Sequence, residues 1–223
     1  MKKLMTVMLL MSLLSVSCNK SGGSSSDESI PSSDTATANS ADDTTTVPPP
    51  ASSTVPALAL SFQTNVNYMN LTATEEEKYN KAVVMVKKVV ATEKFRTSVL
   101  NHFWNGAKQY ANNRGLSNAQ IYQSVLDAAE SLKPIKNNTM DLGVKMYYQA
   151  SSIVGYTNGS ITYINVNTKF FNTFATNSVS GNLFHEWLHK LGYGHDSAAT
   201  AQRPYSVPYA VGYMIRDIGK SFL

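Results

Sequence analysis

Apolar side chains are almost absent from Asn19 to about Leu60, a stretch of Ser, Thr, Ala, Pro, Asp and Gly. Beyond it they return with two distinct periods. Tyr79, Val83, Val86 and Val90 stand at helical spacing, so one face of that segment is buried while the other is wetted. Thr74-Glu75-Glu76-Glu77 predicts the capping box that opens this helix, the Thr side chain taking a backbone N–H three residues on and the acid reaching back. Phe95, Val99 and Phe103 carry the stripe further, past a bend near Thr92. Ser117-Asn118-Ala119-Gln120 is a second capping box, followed by Ile121, Val125, Ala128, Ala129 and Leu132 until Pro134 stops the run. The period then shortens. Val144 to Tyr148 and Ile153 to Thr157 read as short strands. Asn158-Gly159 predicts a two-residue hairpin turn, because both residues tolerate positive φ, and Ile161 to Val166 is the returning strand. Phe62 to Met69 is a further strand candidate. Near the C-terminus Val211, Met214, Ile215 and Ile218 again follow helical spacing, with Pro208 near the helix start. Helices, a small sheet, then more helix is an α+β pattern.

The 223-residue chain divides by composition. Residues 1–17 read as an export signal: Lys2 and Lys3, an apolar run from Leu4 to Leu14, then small residues. That run is shorter than the roughly 20 residues a membrane-spanning helix needs. Cys18, the chain's one cysteine, ends this segment in Leu14-Ser15-Val16-Ser17-Cys18, which resembles a bacterial lipobox and implies a lipid anchor on Cys18. Ser15 and Ser17 equally satisfy the small-x-small rule for ordinary signal cleavage, and both readings cut before Cys18. Asn19 after the cysteine resembles outer-membrane sorting. The expected localisation is the bacterial cell envelope, or secretion. Residues 18–60 are the tether, a spacer in which Asp42-Asp43 offers an alternative role as a metal-blocking pro-segment. Residues 61–223 form the domain.

A mature chain without further cysteine excludes disulfides, thiolate metal sites and catalytic thiols from the domain. Residues 1–60 carry 3 of the 19 basic and 5 of the 15 acidic side chains, leaving the domain 16 against 10. A surplus of that size suits anionic partners, but no basic block with interleaved aromatics is present, so nucleic acid is not expected as a partner. A monomer is expected. Asn-x-Ser/Thr patterns at Asn70, Asn137 and Asn158 carry no glycosylation expectation behind a bacterial export signal.

Candidate chemistry is concentrated in His185-Glu186-Trp187-Leu188-His189-Lys190-Leu191-Gly192-Tyr193-Gly194-His195-Asp196, which holds three of the chain's four histidines. Histidines four apart on a helix project from one face and reach one ion. Zinc takes nitrogen donors in a tetrahedral array, and catalytic sites keep one position open. Gly192 can end the helix in a left-handed conformation, and the chain then turns back so that His195 completes a set with His185 and His189. Glu186, beside the first ligand, is placed to take a proton from the attacking water. His102, the remaining histidine, reads as a surface or core residue.

His185 to His195 is a complete H-E-x-x-H-x-x-G-x-x-H motif, and it resembles the metzincin clan of zinc metallopeptidases. The resemblance is close over the motif and loose over the rest of the chain. It implies an α+β zincin-like catalytic domain with a small mixed sheet, an active-site helix near Ser178 to Leu191, a C-terminal helix and one catalytic Zn2+. Asp196, following the third histidine, further resembles the adamalysin-like branch, where that acid supports a ligand; an ordinary surface aspartate is the alternative. Metzincins place a Met-containing turn beneath the metal, and Met214 is the candidate, although its helical spacing also suits a core residue. Tyr209 and Tyr205 are candidates to hydrogen-bond a developing oxyanion, packing being the alternative for each. The resemblance implies hydrolysis of peptide bonds in extracellular or periplasmic proteins, the substrate adding as a strand along Ile153 to Thr157. Two rivals stand beside it: a peptidase of peptidoglycan cross-links, and a surface binding lipoprotein with structural zinc.

Overall fold

The computed structural model describes residues 56–223. The export signal, Cys18, Asp42-Asp43 and most of the tether lie outside the described residues. Four strands form one sheet in the order β1-β2-β4-β3. Strand β1 (Gln63–Met69) runs parallel to β2 (Thr139–Tyr147), and β2 parallel to β4 (Tyr163–Asn167). The two-residue β3 (Gly155–Tyr156) is antiparallel to β4 and forms an edge. The sheet is therefore small and mixed, within an α+β chain.

Helices α1 (Ala73–Val90), α2 (Glu93–Leu100) and α3 (Asn118–Asp127) connect β1 to β2. The short α4 (Thr168–Phe171) follows β4, and α5 (Thr176–Lys190) and α6 (Val207–Gly219) close the domain. Among the described residues no helix is long and apolar enough to cross a membrane. The expected stripes are buried: Tyr79, Val83, Val86 and Val90 on α1, Phe95 and Val99 on α2, Ile121 and Val125 on α3. Strand β2 alternates, with Met140, Leu142, Val144 and Met146 in the common core and the residues between them partly exposed. Helix α5 packs against α1 and α6 at the centre of that core. Ala59, inside the segment read as tether, is also buried there.

Several local expectations are corrected. The capping box of α1 is Thr72 with Glu75, not Thr74 with Glu77. Both pairs satisfy the spacing; Thr72 wins where the chain leaves β1 through Asn70 at φ +61°. The α2 stripe stops before Phe103, which is mostly exposed beyond the helix end. The second box, Ser117 with Gln120, is as expected, but α3 ends at Asp127, well short of Pro134. Ala128 turns left-handed at φ +50° and Leu132 is exposed. There the Asp127 carbonyl accepts the Asn137 N–H at 3.1 Å, so a returning loop replaces another helical turn. Asn158-Gly159 forms no two-residue hairpin. Neither residue takes positive φ, and a longer connection joins Tyr156 to Tyr163.

Candidate metal centre

Helix α5 is buried along nearly its whole length, which requires close neighbours on more than one side. Glycines allow that approach where it crosses α6. A Cβ on Gly181 would stand 2.8 Å from the Gly212 carbonyl, and one on Gly212 would stand 3.1 Å from His185 Cβ. The contact brings the first turn of α6, and with it Tyr209, against the histidines.

His185 and His189 project one turn apart, ring centroids 5.0 Å from each other. Gly192 then takes φ +87°, its N–H donating to His189 O at 3.1 Å and that of Tyr193 to Leu188 O at 3.2 Å. This double closure satisfies the last helical carbonyls and reverses the chain. Tyr193, buried, is joined to α3 by a 2.6 Å hydroxyl–hydroxyl contact with Ser124. The return places the His195 ring 5.2 Å from His185 and 4.9 Å from His189. One ring nitrogen from each of the three lies within 4.8 Å of the other two. A tetrahedral ion about 2.1 Å from each nitrogen needs them about 3.4 Å apart, and 4.8 Å is the upper bound on their separation here.

The backbone orients two of these rings. His189 Nδ1 meets the Tyr193 carbonyl at 2.8 Å and His195 Nδ1 the Asp196 carbonyl at 2.9 Å. A carbonyl at Nδ1 fixes the tautomer that presents an Nε2 lone pair. The Nε2 atoms of His185 and His195 are buried without a hydrogen-bond partner, a cost that a coordinated cation would remove. Burial, and then mutual repulsion with the other two rings, holds His185 well below the ordinary imidazole range. Burial and His195 bring His189 down to about 4, and burial also lowers His195. Neutral imidazole is the form that binds metal. The residues present fit a single dication with nitrogen preference.

Glu186 is fully buried, and neither carboxyl oxygen makes a hydrogen bond of good geometry. Burial pushes its pKa up to about 8, while Lys190 and the Asn182 amide pull the other way. Strand β3 lies against it. A Cβ on Gly155 would stand 3.6 Å from Glu186 Oε1 and only 2.8 Å from the Asn165 carbonyl.

Tyr209 borders the histidines, its ring 4.6 Å from that of His185 and 4.7 Å from that of His195, with the Arg203 guanidinium over it at 4.9 Å. Asp196 ties together the loop that follows His195. Its carboxylate accepts from Thr200, from Gln202 at 2.8 Å and from Asn112 at 3.3 Å, contacts that gather the loop after His195 and hold its carboxyl below the usual range. Met214 lies inside α6, partly buried against the core. The chain makes no turn there, and the helical spacing of its neighbours decides between the two readings. Tyr205 stacks on Trp104 at 4.4 Å, and His102 on Tyr110 at 4.0 Å. Among the described residues the triad is the one group of this kind. Sequence reasoning passed over Gly155, Lys190 and Glu130; the last accepts a 2.7 Å bond from Trp187 Nε1 on α5. No local pattern marked them. No protein-family model, curated protein or solved structure matches the chain.

Proposed function

We propose that this protein is a zinc-dependent endopeptidase of the metzincin kind, exported to the bacterial cell envelope and acting on extracellular or periplasmic proteins. The observation that carries the reading is the convergence of His185, His189 and His195, the last two oriented by backbone carbonyls, beside a buried acid with no fixed hydrogen bond. Three protein nitrogens leave a fourth position open, as catalytic zinc sites do and structural ones do not. Zinc bound there supplies Lewis acidity, polarising a carbonyl and lowering the pKa of water.

The chain's own residues do the rest. Glu186 accepts the proton of the attacking water and returns it to the leaving amine. Its ionised form would be favoured by a dication held on the three histidines, offsetting the burial that raises its pKa. Tyr209, whose ring packs against those of His185 and His195, is the candidate donor to the developing oxyanion. The β3 edge beside Glu186 offers main-chain donors and acceptors to an extended peptide. The test uses the full chain, with metal analysis and hydrolysis of unfolded casein and of purified wall sacculi, each with and without chelator. Glu186→Ala is expected to keep one zinc per chain and lose hydrolysis. His189→Ala is expected to lose zinc. Sacculi cleaved with casein untouched would move the substrate to peptidoglycan cross-links, and full zinc occupancy in His189→Ala would end the assignment.

A further inference from the structure

The β3 edge is poorly held by its own strand. It is two residues long, and its register is the two pairs Gly155 with Val166 and Tyr156 with Asn165. So short a pairing is not stable by itself in water. Asn167 holds the residues before β3, donating to the Val154 carbonyl at 2.8 Å and to that of Ile153 at 2.9 Å; beyond β3 the hold comes from Lys190, the last residue of α5, which is only 4% exposed. Its Nζ donates to the Asn158 carbonyl at 3.0 Å, to the Tyr163 carbonyl at 3.3 Å and to that of Ile161. An ammonium has three protons, and all three are taken by carbonyls of the β3–β4 connection and of the first residue of β4. The other end of the same residue is held as well: the Lys190 carbonyl accepts from Ser131 N at 2.7 Å and Ser131 Oγ at 2.9 Å. Thr157 adds a 2.9 Å bond to the Tyr163 carbonyl, closing the loop on itself. The connection is thus anchored to the helix that carries His185, Glu186 and His189.

We propose that Lys190 is a positioning residue: it ties the β3–β4 connection to the end of α5 and thereby fixes the β3 edge beside Glu186, where a peptide main chain adds as the next strand. The substrate half rests on the peptidase reading given above. A neutral side chain of similar length leaves three carbonyls without their shared donor, and the far side of the edge is then held by its two pairs and the Thr157 bond, while Asn167 still holds Val154 and Ile153 on the near side. Arginine keeps the charge and donors on a longer, planar head, so it restores the hold in part.

The experiment uses the full chain with Lys190→Met and Lys190→Arg, reading kcat and KM on a fluorogenic peptide, zinc stoichiometry, and backbone amide exchange. Lys190→Met is expected to raise KM about tenfold or more with a smaller fall in kcat, at one zinc per chain. Exchange at Gly155 to Tyr163 is expected to quicken about tenfold or more, whether zinc is present or stripped, and Lys190→Arg should recover part of both effects. If Lys190→Met does not fold, inserting one glycine after Gly159 shifts the carbonyls off the ammonium and should give the same pair of changes. Unchanged exchange in a folded Lys190→Met, or a KM increase matched by zinc loss, overturns the proposal. A wild-type chain that binds zinc and cleaves no peptide ends the peptidase reading and the substrate half together, and any exchange effect then marks Lys190 as a purely structural tie.

Discussion

Gly192→Ala probes the hinge that delivers the third histidine. Gly192 stands at φ +87°, and a Cβ there would lie 2.7 Å from Arg114 Nη1 and 3.6 Å from Arg114 Cζ. A non-glycine residue held left-handed costs about 1–2 kcal/mol. The guanidinium, at the end of a flexible side chain, can swing aside, but it then gives up its 3.3 Å bond to the Leu191 carbonyl, about 0.5 kcal/mol at the low end for an intramolecular hydrogen bond. The total is about 1.5–2.5 kcal/mol. On the zinc-site reading proposed above, either the hinge stays strained, and the zinc-loaded protein loses that much unfolding free energy, or it relaxes, His195 moves off, and zinc affinity falls about 10- to 60-fold. Urea denaturation of the loaded protein and competitive zinc titration against a chelator read the two parts, and their sum should reach the stated range. In an Arg114→Ala background the steric part disappears and the φ part remains, so the substitution should cost less but not nothing. A combined effect below about 0.5 kcal/mol would show that the left-handed turn does not hold His195 and would refute the reasoning.

Two further outcomes follow from the groups behind the centre. Trp187 Nε1 donates to Glu130 Oε1 at 2.7 Å, and Glu130 is buried with its other oxygen unpartnered. Trp187→Phe removes a bond worth about 1.5–3 kcal/mol to a charged acceptor; Glu130→Gln should recover part of the loss, and strictly additive urea stabilities in the double variant would contradict the coupling. Burial opposes ionisation of Asp141, but hydrogen bonds from Asn65, Asn137 and Lys133 hold its carboxyl below the usual range. A depressed folded pKa means that the group's stabilisation is complete above the unfolded value, near pH 4, and is lost as pH falls through the lower folded value. Asp141→Asn should therefore be less stable than wild type at pH 7 and show a shallower decline on acidification in the zinc-free protein, followed by urea midpoints; parallel curves would refute the assignment.

The local pattern determined what local physics governs. The apolar stripe of α1, the Ser117 capping box and the first strand depend on residues within a turn or two, and each stands where it was expected. The same holds for the meeting of the three histidines, because a helical i,i+4 pair and a glycine reversal are short-range geometry carried by His185, His189, Gly192 and His195. Tertiary structure decided the rest. Thr72 and Thr74 are equivalent by spacing, and only the exit from β1 separates them. Nothing near Asp127 in sequence ends α3; a loop returning to its carbonyl does. The Asn158-Gly159 turn yields to Lys190, whose ammonium takes the Asn158 carbonyl from 32 residues away. Gly155 sits beside Glu186, and Tyr209 beside two histidines, through the packing of separate elements. Contacts of that kind are set by how helices and strands fit together in three dimensions, and no window along the chain contains both partners.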